Sequence, residues 1–172
     1  DILRSIFSEY GLFRFRIVIE IEWLKALSKH PDIKEIGRFP ADSISFLDNI
    51  KNDFSIDDAI RIKEIEQTTN HDVKAVEYFL REKIRSVPSL KNIASFIHFG
   101  CTSDDINNLS HALMLKDTRE NVLAPKLNKL VSILEKMSAD YASVAMLSRT
   151  HGQTASPTTL GKEVAVYTHR LL

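Results

Sequence analysis

The chain has 172 residues, 44% of them apolar, which is ordinarily one domain with enough apolar surface to bury a sizeable core. Lys plus Arg and Asp plus Glu balance at 23 each, so no net field favours nucleic acid or an anionic membrane surface, and an anionic ligand must be held by local groups. A single cysteine, Cys101, excludes an internal disulfide, no apolar run approaches the roughly 18 residues that span a bilayer, and Asp1-Ile2-Leu3-Arg4 lacks a signal-peptide layout, so a soluble cytoplasmic protein is expected.

Only 5 Gly and 5 Pro punctuate the chain, and the segments between them are rich in Leu, Ile, Glu, Lys and Ala, an all-α pattern. Leu12 to His30 reads as one helix with Phe13, Ile17, Ile21, Leu24 and Leu27 on its apolar side and Arg14, Glu20, Glu22 and Lys25 elsewhere. The β-branched run Ile17 to Ile21 could form a strand, but the periodicity on both sides of it is helical. Pro40, at a first helical position, introduces a short helix carrying Ile44, Phe46, Leu47 and Ile50. Ser55 with Asp58 three residues on makes a capping-box start for a helix through Ile60, Ile62 and Ile65. Asn70 is expected to cap the next helix, with Val73, Val76, Phe79, Leu80 and Ile84 inward. Pro88 separates it from a short helical turn ending near Phe99-Gly100.

From Thr102 the pattern becomes one long helical segment in which Leu123, Leu127, Leu130, Leu134, Met137 and Tyr141 form a seam suited to packing along other long helices. Pro125 kinks that segment or begins a second helix, and Pro157 opens a last helical pattern. The expected organisation is a small N-terminal helical domain over residues 1–103, then the start of a long-helix bundle over 104–172. The start without Met and the uncapped Arg170-Leu171-Leu172 point to a fragment of a longer protein.

Three polar clusters stand at element boundaries. In Thr68-Thr69-Asn70-His71-Asp72, a cap at Asn70 would put His71 in the first helical turn, where the dipole disfavours imidazolium and free N–H groups attract anions; an ordinary cap followed by a surface histidine has the same spelling. In His98-Phe99-Gly100-Cys101-Thr102-Ser103-Asp104-Asp105, the hydroxyls and helix-end amides suit a carboxylate ligand, Asp104 and Asp105 oppose one, and Thr102 with Asp105 is equally a plain capping box. Cys101 reads as a small filler, and His98 with Cys101 lacks the second pair of ligands that zinc requires. Ser148-Arg149-Thr150-His151-Gly152-Gln153 sets an imidazole, hydroxyls, a guanidinium and an amide around one glycine, and its histidine can hand a proton to a leaving group near neutral pH. His30, His111 and His169 lack such company and are read as structural.

Taken jointly and in order, the segments 68–80, 98–108 and 148–153 resemble the adenylosuccinate lyase branch of the fumarase/aspartase superfamily, a likeness that extends through Ile6 to Leu12 and Leu109 to Leu115. The resemblance implies a homotetrameric enzyme of purine biosynthesis, without metal or organic cofactor, that eliminates fumarate from adenylosuccinate and from the related succinylcarboxamide ribotide. It implies His151 as the general acid to the departing nitrogen and His71 as a second catalytic group. Asn70, His71, Asp72, His98, Thr102, Ser103, Thr150 and Gln153 would line the purine nucleotide site, completed between subunits through the helical bundle. The family's serine-bearing loop, which supplies the base, and its upstream phosphate-binding segment are not found in these 172 residues, and Thr154 stands where proline is common. The alternatives are another fumarate-releasing member, acting for example on argininosuccinate, and a helical interaction module whose histidines only cap and pack.

Overall fold

The computed structural model describes residues 2–172, and the fold is helical apart from one two-stranded ladder. Ser8 starts the principal helix: its backbone is extended and its hydroxyl accepts from the Gly11 N–H, so α1 (Arg4–Phe7) ends there and α2 (Glu9–Lys29) begins. No strand forms over 17–21, because Phe13, Ile17, Ile21, Leu24 and Leu27 fall at helical spacing and are all buried. Burying each such side chain stabilises the fold by roughly 1.5–3 kcal/mol. Glu20 departs from its expected polar face: residues 13, 17, 20, 24 and 27 share one stripe, and this carboxylate is only 1% exposed.

Around α2 pack α3 (Ala41–Asn52), α4 (Ile56–Thr69), α5 (Asp72–Ile84) and α7 (Ser103–Thr118), with the short α6 (Pro88–Lys91) and a 3₁₀ turn, Ala94–Phe96, between the last two. Leu47, Ile62, Val76, Phe79, Leu80, Ile84 and Leu90 fill the core against the α2 stripe. Pro40 is the N-cap of α3 rather than its first helical residue. The Ser55–Asp58 capping box forms as expected, hydroxyl to backbone and carboxylate to backbone. One cap is shifted from its expected place. Asn70 closes α4 in the left-handed region at φ 50°, and the N-cap of α5 is His71. Asparagine suits either position; α4 runs to Thr69, so Asn70 serves as its C-terminal stop.

The residues after Thr118 form a separate compact unit, whereas the change of helical character in the sequence lies near residue 104. It opens with a π-helical turn, Arg119–Leu123, followed by α8 (Ala124–Asp140). The missing N–H and the ring of Pro125 disturb the α ladder just upstream, and the wider turn accommodates both. Leu123, Leu127, Leu130, Met137 and Tyr141 of the expected seam are exposed, and Leu134 is half-buried.

Residues 145–159 are a β-hairpin, not a loop leading into a helix at Pro157. Strand β1 (Ala145–Thr150) pairs antiparallel with β2 (Gln153–Thr159), and α9 (Leu160–Leu171) starts after the cap Thr159. Pro157 lies in β2 beside a bulge in which Ala155 and Ser156 oppose Ser148, a position where a strand tolerates a residue without an N–H. The hairpin base is fixed to the end of α8 by Leu160 N–H to Val144 O and Gly161 N–H to Tyr141 O, both 2.9 Å.

Gly161 is required by this close approach, since an added Cβ would lie 2.3 Å from Ser138 O and 2.6 Å from Ala142 N. Gly161→Ala is therefore expected to destabilise the second unit by about 1–3 kcal/mol, as overpacking does. Urea unfolding followed on that unit, with an unchanged midpoint as the contrary result, checks this.

Candidate functional site

In the first unit the polar clusters are assembled by α2. His71 accepts the Lys74 N–H at its Nδ1, 3.2 Å away, so the neutral ring carries its proton on Nε2. That Nε2 lies 3.4 Å from Ser103 Oγ, the first residue of α7, and so joins two segments 32 residues apart. The contact follows from Arg16, 3% exposed in the middle of α2, which donates through Nε to Asn107 Oδ1 at 2.9 Å and through Nη2 to Asp72 Oδ2 at 2.7 Å. One guanidinium thus ties the start of α5 to the first turns of α7. Partial burial pushes the Asp72 carboxyl up, but the Arg16 hydrogen bond and charge, helped by the Val73 N–H and His71, outweigh this and hold it below the usual carboxylate range.

The Thr102 end is a capping box in use: Asp105 accepts the Thr102 N–H at 2.7 Å and Thr102 Oγ1 accepts the Asp104 N–H at 3.2 Å. The Asp105 carboxylate is thus turned inward onto the helix end rather than presented to a ligand. His98, at φ 64°, places Nδ1 2.6 Å from the buried Glu20. Trp23 Nε1–H to Phe99 O at 2.8 Å and Gly100 at φ 71° hold the same turn. Cys101 is half-buried, and burial together with the nearby Glu20 and Asp105 pushes its thiol up, so it is poorly disposed to act as a thiolate.

Thr150, His151 and Gln153 belong to the second unit. His151 and Gly152 are the two central residues of the hairpin loop, at φ 54° and 78°, the pair of positive values that a type I′ turn demands. The exposed imidazole has Nδ1 2.9 Å from Thr150 Oγ1, leaving Nε2 outermost in hydrogen-bonding terms. Neither Arg16 nor Glu20 is among the residues the sequence singled out; the available signal is a charge at a stripe position of an otherwise apolar helix face. Among the described residues no group of three or more His, Cys, Asp or Glu side chains could hold a metal ion, and no helix is long and apolar enough to cross a membrane.

Residues 1–172 match the model of a family described as Lyase. The chain belongs to the lyase family. It is 54% identical over 169 residues to the adenylosuccinate lyase of Escherichia coli K12 and 53% identical over 169 residues to that of Haemophilus influenzae. In both cases 98% of this chain is covered, and it spans 37% of the relative's length. Its fold is that of a fumarate lyase from Mesorhizobium sp. BNC1, with TM-score 0.76 at 18% identity over 99% of this chain and 37% of the other. A 3-carboxy-cis,cis-muconate lactonizing enzyme from Pseudomonas putida gives TM-score 0.73 at 20% identity, over 99% and 36%.

Because Asp72 has its folded-state carboxyl held down by Arg16, its contribution to stability is present above the ordinary aspartate value of about 3.9 and is lost as pH falls through the lower folded value. Denaturation midpoints measured from pH 6 downward should fall more steeply below about pH 4 for the native chain than for Asp72→Asn. Parallel curves would show that the carboxylate is not coupled to Arg16.

Proposed function

We propose that this chain is part of an adenylosuccinate lyase, eliminating fumarate from adenylosuccinate to give AMP and from the succinylaminoimidazole carboxamide ribotide. The observation that carries this reading is the 54% identity with the Escherichia coli adenylosuccinate lyase over 98% of the chain. In the elimination a base removes a proton from the carbon next to the C–N carbon, the electron pair forms the fumarate double bond, the C–N bond breaks, and the departing nitrogen takes a proton. An amine leaves poorly as an anion, so a positioned acid is needed, and donors are needed for charge building on the carboxylate-bearing carbon.

His151 takes the role of acid. Its place at the tip of a two-residue turn leaves the ring unencumbered by packing, and the Thr150 hydroxyl on Nδ1 orients it. His71 is the second catalytic histidine, with its proton fixed on Nε2 beside Ser103 by the helix-end amide on Nδ1. Asn70, Asp72, His98, Thr102 and Ser103 in the first unit, and Thr150 and Gln153 in the second, are assigned to binding the nucleotide and its carboxylates. The exposed apolar seam Leu123, Leu127, Leu130, Met137 and Tyr141 supports a homotetramer built through the long helices, and the reading places the enzyme in the cytoplasm.

The carbon-bound proton needs a base, and none of the residues assigned above is given that role. The 172-residue chain alone is therefore expected to turn over adenylosuccinate negligibly, and a rate near that of an intact lyase would overturn the division of labour. In the full-length protein His151→Ala should lower kcat by about 10²–10⁴-fold, the usual loss with a general acid. Steady-state assay of fumarate release decides it, and an unchanged kcat refutes the assignment.

A further inference from the structure

Outside the groups already given a role, the first unit buries one further carboxylate in contact with the candidate site. Glu20 has its side chain 0% exposed, Oε1 lies 2.6 Å from His98 Nδ1, and Oε2 is buried with no hydrogen-bond partner. We infer that Glu20 is a positioning residue for the elimination proposed above, accepting the Nδ1–H of His98 and so leaving Nε2 as the ring nitrogen available to the substrate. The inference rests on that reading of the function.

The geometry restricts the alternatives. A contact of 2.6 Å between a carboxylate oxygen and a ring nitrogen requires a shared proton, and His98 is the hydrogen-bond partner that Glu20 has there. Around the pair stand Arg16 one turn earlier on α2, which is engaged with Asp72 and Asn107, and Glu77 of α5, which is engaged with Lys74 and Arg81. Cys101 is near enough to feel the Glu20 and Asp105 charges, and Asp105 is engaged with the Thr102 N–H. None of these neighbours hydrogen-bonds the Glu20 carboxylate. Burial raises the Glu20 carboxyl, and the hydrogen bond and charge of His98 oppose that rise. The turn that carries His98 is itself constrained, by its own positive φ and by the Trp23 bond to Phe99 O, so the ring cannot relax away without remaking that turn. A carboxylate on one nitrogen of a neutral imidazole fixes which nitrogen bears the proton and where the other is aimed. No hydrogen bond engages His98 Nε2 among the described residues, and the side chain is partly exposed, so that nitrogen is open to solvent or to a ligand.

A purely structural pair, one that only closes the turn onto α2, predicts different behaviour, and the full-length protein separates the two. With ¹⁵N-labelled histidine, the neutral ring of His98 should show the Nδ1–H tautomer; the Nε2–H tautomer overturns the inference, and this readout requires neither a variant nor turnover. In kinetics, Glu20→Gln should lower kcat/KM about tenfold while leaving the thermal midpoint near that of the parent. The same change in a His98→Gln background should cost nothing further, because Glu20 acts only through that ring. Equal losses in both backgrounds, or unaltered kcat/KM in the single variant, overturn it. If Glu20→Gln does not fold, Glu20→Asp carries the kinetic comparison in its place, and the Nε2–H tautomer would still overturn the inference. Failure of the parent protein to release fumarate from adenylosuccinate would count against the proposed function, and the tautomer would still report on the pair.

Discussion

A guanidinium in the middle of an apolar helix governs the arrangement of the first unit. Stripping water from an arginine costs several kcal/mol unless its hydrogens find acceptors, and a buried ion left without its partner is strongly destabilising. For Arg16, Asp72 on one side and Asn107 on the other offset most of that cost through Nη2 and Nε, while Nη1 is buried without a hydrogen-bond partner among the described residues. Two helix starts that are distant in sequence must therefore sit against the same turn of α2 at a fixed height. Hydrophobic contact alone would let α5 and α7 slide by fractions of a turn; a hydrogen-bonded fork does not. The closeness of His71 Nε2 to Ser103 Oγ is a result of this constraint, and the first unit's share of the candidate site inherits its precision from the core.

Most of the helices were legible in the sequence, because the 3.6-residue spacing of Phe13 to Leu27 and of Val73 to Ile84 admits no other burial. The Ser55–Asp58 box was also legible, since both halves of its reciprocal bonding are written three residues apart. What failed has physical causes. Asn70 suits the stop of one helix as well as the start of the next, and only the length of α4 decides between them. The hairpin was hidden because Ala145 to Thr150 has no alternation of apolar and polar residues and Pro157 imitates a helix start, while the bulge opposite Ser148 disguises the period further. A two-residue His-Gly loop was the signal available, weaker than Asn-Gly because histidine enters the left-handed region less readily. The three clusters themselves were evident from composition. Their supports, Arg16 and Glu20, were not, since a charge on a helix face is normally a solvated one and its burial depends on partners 56 to 91 residues away.

Among the described residues only three other than glycine have positive φ, and they are Asn70, His98 and His151, one in each polar cluster. For histidine, that backbone conformation costs on the order of 1–3 kcal/mol, and glycine would adopt it freely. At His98 the bond to the buried Glu20 offsets that cost, but at the exposed His151 the fold would be more comfortable with a residue that has no side chain at all. Thermal robustness and reactivity consequently pull in opposite directions at the hairpin tip. A variant library screened only for heat tolerance would be drawn toward glycine at His151, and its hardiest members would be the ones with the least chemistry left.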